Sequence, residues 1–208
     1  MSFDALLSAF VTLLLVVDPL GLVPTFVAVT DGLPPRARRH VAFRACIIAT
    51  VVLAGAALGG DSLFRMVGIT LPAFRIAGGL LLFSIASEMV LGVRIERQSK
   101  AAEQALEEHV RNIAAFPLAV PLMAGPGAIT ATVLLAGRAG GNPIALAALI
   151  GVICFVLAVC CAAFLAGGRL ARALGTTGNV VLSRLLGVLL AALAVQYVID
   201  GIRAVLTG

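Results

Sequence analysis

Asp18 is the one charged residue between Ala5 and Val29, a stretch otherwise built of apolar and small side chains. Pro19 follows it directly and Pro24 comes five residues later. Proline lacks an amide donor and clashes with the preceding turn, so Asp18-Pro19-Leu20-Gly21 interrupts any helix through this run. An interruption inside lipid leaves carbonyls unpaired where water cannot reach them, so it must be buried in protein or line a wet cavity. A carboxylate at bilayer depth costs roughly 2.5–3.5 kcal/mol on the insertion scale and by default marks an ion or substrate path. Asp18 is therefore expected to meet a substrate ammonium, or to serve as a proton or cation site. The structural alternatives are that it caps the following half-helix or lies near the interface.

A complementary pattern sits further along the chain. Pro117, Pro121 and Gly125-Pro126-Gly127 break a second apolar run, and Ala128-Ile129-Thr130 restarts a helix. Such a new helix start presents unpaired amides and a positive dipole end, which suit an anionic group such as a carboxylate. Together the two breaks would hold a zwitterion. The expected substrate-binding set is Asp18, Pro19, Gly21, Gly125, Pro126, Gly127 and Thr130. Thr130 and Thr132 add hydroxyls, although threonines in membrane helices commonly bond their own backbone. No catalytic residue, metal site or cofactor is expected. Cys46, Cys154, Cys160 and Cys161 lack metal spacing, and His40 and His109 fall in loops.

The elements that must carry these residues are membrane helices. Hydrophobic residues make up 61% of the chain and charged residues 12%, against roughly 25% charged in a soluble domain. A bilayer core takes roughly 20 apolar residues of helix, and six such windows occur, at about 5–29, 41–60, 71–93, 113–137, 143–168 and 180–206. The fold class is thus all-α, a polytopic membrane protein with the lipid bilayer as its partner. The net charge of +5 does not point to nucleic acid, because Trp is absent and Tyr197 is the only Tyr.

Lys and Arg are retained on the cytoplasmic side. Arg36, Arg38, Arg39, Arg44, Arg94, Arg97, Lys100, Arg111, Arg169, Arg172 and Arg184 flank one face, whereas Arg65, Arg75, Arg138 and Arg203 flank the other. Both termini are therefore expected outside the cytoplasm, and Met-Ser-Phe-Asp does not look like a removable signal peptide. The stretch 94–112 mixes bases with Glu96, Glu103, Glu107 and Glu108, and is expected to be a solvated cytoplasmic helix without chemistry of its own.

Two halves of the chain resemble each other. Arg75, Gly78, Leu80, Leu81, Gly92 and Arg94 recur at an offset of 109 as Arg184, Gly187, Leu189, Leu190, Gly201 and Arg203. Gly59-Gly60 and Gly167-Gly168 extend the match, as do Pro19 and Pro126. Three crossings per unit make this an inverted repeat, with residues 1–93 and 113–208 as units and 94–112 as linker. Inverted repeats with matched Gly/Pro-interrupted helices point to a secondary-transporter site near the midplane; glycine and proline for close helix packing are the plainer reading. Arg75 and Asp200 fall toward the outer end of spans three and six, and Glu88 and Arg184 toward the inner end. One inter-helix ion pair on each side, acting as a gate, is expected, with interfacial snorkelling as the alternative.

At these residues the sequence resembles the MarC family of bacterial inner-membrane proteins. The resemblance rests on Asp18-Pro19-Leu20-Gly21 with Pro24, on Phe74-Arg75-Ile76-Ala77-Gly78-Gly79, and on the run from Pro117 to Thr130. It implies six spans in a bacterial cytoplasmic membrane, small neutral amino acids such as glycine and alanine as substrates, and distant kinship with lysine-exporter-type proteins. Leu22 stands where many members carry Asn. The expected function is secondary transport of a small solute by alternating access, coupled to protons or Na+, and a homo-oligomer is compatible with it. A narrow channel, or a non-transporting assembly or stress factor, is the alternative.

Overall fold

The computed structural model describes residues 3–107, 113–140 and 142–206, and every regular element among them is helical. Helices α1 (Phe3–Val17) and α2 (Leu22–Val29) meet at a 47° bend. They are followed by α3 (Pro35–Val67), α4 (Leu71–Leu91) and the polar α5 (Val93–Glu107). A wide-turn segment, Ala114–Met123, then meets α6 (Pro126–Arg138) at 57°, and α7 (Pro143–Leu165) and α8 (Gly167–Leu206) complete the chain. Four stretches are long and apolar enough to cross a membrane: Pro35–Gly60, Leu71–Leu91, Pro143–Leu165 and Thr177–Leu206. The number rises to six if each bent pair is one span.

Local chemistry sets the helix ends. Thr70 accepts from the Ala73 amide at 3.4 Å, with Pro72 in the first turn of α4, and Gly92 ends that helix in the left-handed conformation at φ 83°. Asn142 caps α7 by accepting from the amides of Ile144 and Ala145 at 2.9 and 3.2 Å, and Pro143 fits the first turn, where no amide partner is needed. Gly175, at φ 60°, separates the basic start of α8 from its apolar length.

Large apolar side chains such as Ile47 and Val51 of α3, Leu80 and Leu81 of α4, and Leu185 and Val188 of α8 face outward. Lipid is as apolar as these side chains, so cohesion between helices comes from close approach rather than from expulsion of water. Glycine supplies that approach. A Cβ on Gly79 of α4 would sit 2.7 Å from the Ala194 carbonyl and from Val198 of α8. A Cβ on Gly187 of α8 would sit 2.8 Å from Met89, and 3.0 and 3.1 Å from Val90 and the Ala86 carbonyl of α4. Each helix thus inserts a glycine into the other, and α4 with α8 forms the most extensive helix pair. A similar exchange joins Gly60 of α3 to Val133 of α6, and Gly167 of α8 to Val27 and Phe26 of α2. Phe26 also stacks on Phe164 of α7 at 4.4 Å, which fixes α2 beyond the first bend.

Candidate functional site: two helix breaks closed by α5

The first break is built around Asp18. Its amide makes the last bond of the preceding turn, to the Leu14 carbonyl at 3.0 Å, after which the residue turns to φ 53°. Asp and Asn tolerate this left-handed conformation better than most residues. The Asp18 Oδ1 accepts from the Gly21 amide at 3.0 Å, and its carbonyl accepts from Leu22 at 3.1 Å to start α2. Gly21 admits no side chain, because a Cβ there would fall on the Asp18 carboxylate. Asp18 is only 2% exposed.

In an unbroken helix the Val16 carbonyl would accept from residue 20. Here its donor is Arg94 Nη2, at 2.7 Å, from the second residue of α5. Arg94 and Gln98, one helical turn apart, are both buried, while Glu96 and Lys100 pair at 2.8 Å on the exposed side of the same helix. The Lys100 hydrogen bond and charge hold the Glu96 carboxyl below its ordinary range. One face of α5 is therefore solvated and the other is pressed into the bundle.

The second break differs in construction. Phe116 and Val120 are extended, each before a cis proline peptide bond, and the Ala124 amide reaches back five residues to Ala119 at 2.8 Å. Gly125 then runs extended into α6 with its Cα against the Pro121 carbonyl, leaving no room for a side chain. No side chain caps α6. Pro126 has no amide, and the first helical bond is Ile129 to the Gly125 carbonyl at 3.0 Å. The amides of Gly127 and Ala128 consequently have no helical acceptor.

The two breaks adjoin. A Cβ on Gly127 would strike Ile85 of α4 and come within 3.3 Å of Val16. A cavity of about 50 Å³ lies between them, lined by Val16, Arg94, Gln98, Gly125, Gly127 and Ala128. The other side of α5 faces a larger, mostly apolar cavity of about 280 Å³, bounded by Leu20, Pro24, Ile95, Ser99, Gly175 and Asn179. α5 is a wedge between the two.

The family model described as MarC family integral membrane protein matches residues 3–206. The chain belongs to the MarC family. It is 36% identical over 201 residues to a UPF0056 membrane protein of Aquifex aeolicus, covering 95% of this chain and 92% of that one. It is 34% identical over 196 residues to a UPF0056 membrane protein of Archaeoglobus fulgidus, covering 94% and 91%. The UPF0056 membrane protein YhcE of Escherichia coli is 31% identical over 206 residues, covering 99% and 95%. No solved structure matches.

In this MarC chain the residues singled out by sequence fall as follows. Asp18, Pro19 and Gly21 form the first break, Gly125, Pro126 and Gly127 form the second, and Val16 beside Gly127 links them. Asp18, Pro19, Gly21 and Thr130 stand apart from the cavity lining, and the Thr130 methyl packs toward Gly78 of α4, 2.9 Å from where a Cβ would be. The carboxylates expected to gate each hold an arginine, but a different one. Asp200 contacts Arg138 at 3.5 Å and accepts from Gln196 at 2.7 Å, and Glu88 pairs with Arg97 at 2.8 Å. Arg184 lies instead beside Gly92, and Arg75 Nε is buried without a hydrogen-bond partner among the described residues. The pairs form with arginines of α6 and α5 because those helices, and not only α4 and α8, border each carboxylate.

The expectation of a solvated linker helix holds at Glu96 and Lys100 and is corrected at Arg94 and Gln98, which are buried; residues 108–112, with His109 and Arg111, lie outside the described residues. The missed residue is Arg94. Its signal was the alignment with Arg203 in the repeat and its place two residues after the glycine that ends α4.

Proposed function

We propose that this protein is a secondary transporter of small solutes, small neutral amino acids among them, working by alternating access around the paired breaks. It would reside in the bacterial cytoplasmic membrane with both termini on the outer side. The adjacency of the two breaks at Val16 and Gly127 carries this reading. Broken helices whose ends converge are how membrane transporters bring backbone dipoles to a solute. The exchanged glycine contacts support two inverted units. Gly79 against Ala194 and Val198 becomes Gly187 against Ala86 and Val90 when the halves are interchanged at an offset of 108, and Gly60 against Val133 becomes Gly167 against Phe26 at 107, each one residue short of the offset in the sequence match. On this reading Asp18 meets the ammonium, or a coupling proton or Na+, and the α6 start meets the carboxylate. Arg138 with Asp200, and Arg97 with Glu88, are the pairs that would open and close the two ends.

The test is uptake of labelled glycine or alanine into proteoliposomes, with and without a proton or Na+ gradient, by the natural chain and by Asp18→Asn. Gradient-dependent uptake lost in Asp18→Asn supports the proposal. Gradient-independent leak, or no flux of any small solute, sinks it in favour of a channel or a non-transporting protein.

A further inference from the structure

We infer that Arg94 is a carboxylate anchor: its guanidinium and the first turn of α6 form a binding site for a small monocarboxylate in the cavity between the two breaks. The inference rests on the transport reading for its role in the membrane, but the site is defined by its own geometry.

Arg94 is only 6% exposed, and its two terminal nitrogens have different fates. Nη2 is committed to the Val16 carbonyl at 2.7 Å. Nη1 is buried and meets no acceptor among the described residues. An unmet donor on a buried cation is costly, because desolvation is uncompensated there. The same cavity is lined by the start of α6, where Gly127 and Ala128 have amides without helical acceptors and Gly125 offers no capping side chain. Two sets of donors of positive character thus converge on one small space, from elements far apart in sequence.

The neighbouring charges narrow the ligand. Arg97, at the rim, already has Glu88 at 2.8 Å, so it adds little net charge. Asp18 is the strongest opposing charge acting on Arg94 and offsets part of its charge, while the Asp18 Oδ1 accepts from the Gly21 amide at 3.0 Å. One cation with a free face, plus a helix start, suits a singly charged group better than a phosphate. A carboxylate offers two oxygens, one for Arg94 and one for the amides, in charge-assisted bonds. The cavity of about 50 Å³ admits a group of a few heavy atoms, since one water needs roughly 10–15 Å³ on this measure. Acetate, or the carboxylate end of glycine or alanine, is of that size. Asp18 does not line this cavity, so the anchor holds the carboxylate alone.

The experiment is equilibrium binding of labelled acetate and labelled alanine to the purified full chain in nanodiscs, read without any flux. Unlabelled alanine should displace acetate, whereas ethylamine and chloride at equal ionic strength should not. Arg94→Gln removes both bonds and can unfold the break, so Arg94→Lys is the deciding variant. Its single ammonium can keep the Val16 carbonyl but cannot also present a second donor fork. Arg94→Lys should retain most of the natural thermal stability and weaken acetate binding about tenfold or more, while Lys100→Gln, on the exposed side of α5 and outside the cavity lining, should bind as the natural chain does. Absence of acetate binding, chloride displacing acetate as well as alanine does, or undiminished binding by Arg94→Lys would each overturn the inference. Arg94-dependent binding without flux in proteoliposomes would leave the anchor standing and remove the transport reading. Flux with no Arg94-dependent binding would do the reverse.

Discussion

Arg94 donates to the carbonyl of Val16 at 2.7 Å across 78 positions of sequence, joining the helix that links the two halves to the gap in the first. The bond replaces the one that the turn at Asp18 forfeits. Backbone polarity in a membrane interior must be met from somewhere, and here a side chain from a polar helix meets it. A helix that is solvated on its Glu96 and Lys100 side is thereby made part of the interior.

This bond has a measurable consequence for stability. In Arg94→Gln the Val16 carbonyl stays buried without a comparable donor, and Asp18 loses its counter-charge. Thermal or denaturant unfolding in detergent should show a loss of about 1–3 kcal/mol, the usual penalty for an orphaned buried polar group. Arg94→Lys should recover most of it. Equal stability for all three chains would mean that the carbonyl finds another donor.

Asp18 combines a conformational task with a charge, and the two are separable. Asn also tolerates φ 53° and can accept from the Gly21 amide as the Asp18 Oδ1 does at 3.0 Å. Asp18→Asn should therefore keep the turn and lose about 1–3 kcal/mol through the missing counter-charge of buried Arg94, while Asp18→Ala, which also loses the hydrogen bond and must still turn left-handed, should lose about 1–3 kcal/mol more. A comparison of melting temperatures with labelled-solute uptake checks both. Uptake should fail in Asp18→Asn although its fold is intact.

Sequence made some of this legible and hid the rest for physical reasons. Span lengths are written in one dimension, so the apolar windows at 71–93 and 143–168 reappear as Leu71–Leu91 and Pro143–Leu165. The breaks at Asp18 and Gly125 are also local, because proline and glycine act on their own backbone. Partner choice is not local. Depth alone pairs Asp200 and Glu88 with Arg75 and Arg184, whereas the third dimension brings Arg138 and Arg97 to them. By sequence Arg94 is one more interfacial base, because nothing in its immediate neighbours reports that α5 folds back against α2, α4 and the Ala114–Met123 segment.

Glycine-mediated packing between α4 and α8 predicts a graded response. Gly79→Leu must displace the Ala194 backbone and Val198, and Gly187→Leu must displace Met89 and the Ala86 backbone. Each should destabilise by about 1–3 kcal/mol or more, as overpacked sites do. Gly59→Ala meets nothing within 4 Å and should stay within about 0.5 kcal/mol of the natural chain. Unfolding midpoints of the three variants in one detergent decide it, and a Gly59→Ala loss as large as the others would show that these contacts do not set the values, since helix propensity alone favours Ala over Gly.

The alternative pairings of Asp200 can be separated by double-mutant cycles. Arg138 and Asp200 are 3.5 Å apart with side chains about one-third exposed, at 34% and 32%, so their coupling should be modest, about 0.5–1 kcal/mol. Arg138 also lies 4.7 Å from the Tyr197 ring, so Arg138→Gln should cost more than Asp200→Asn, through the lost cation–π contact. The Arg75 and Asp200 cycle should show weaker coupling than this. If Arg75 proves the stronger partner in unfolding measurements while Arg138 proves uncoupled, the pairing seen at α6 and α8 belongs to one conformation and the sequence-derived pair to the other. Repeating both cycles with saturating alanine would then reveal the exchange, as coupling that moves from one arginine to the other.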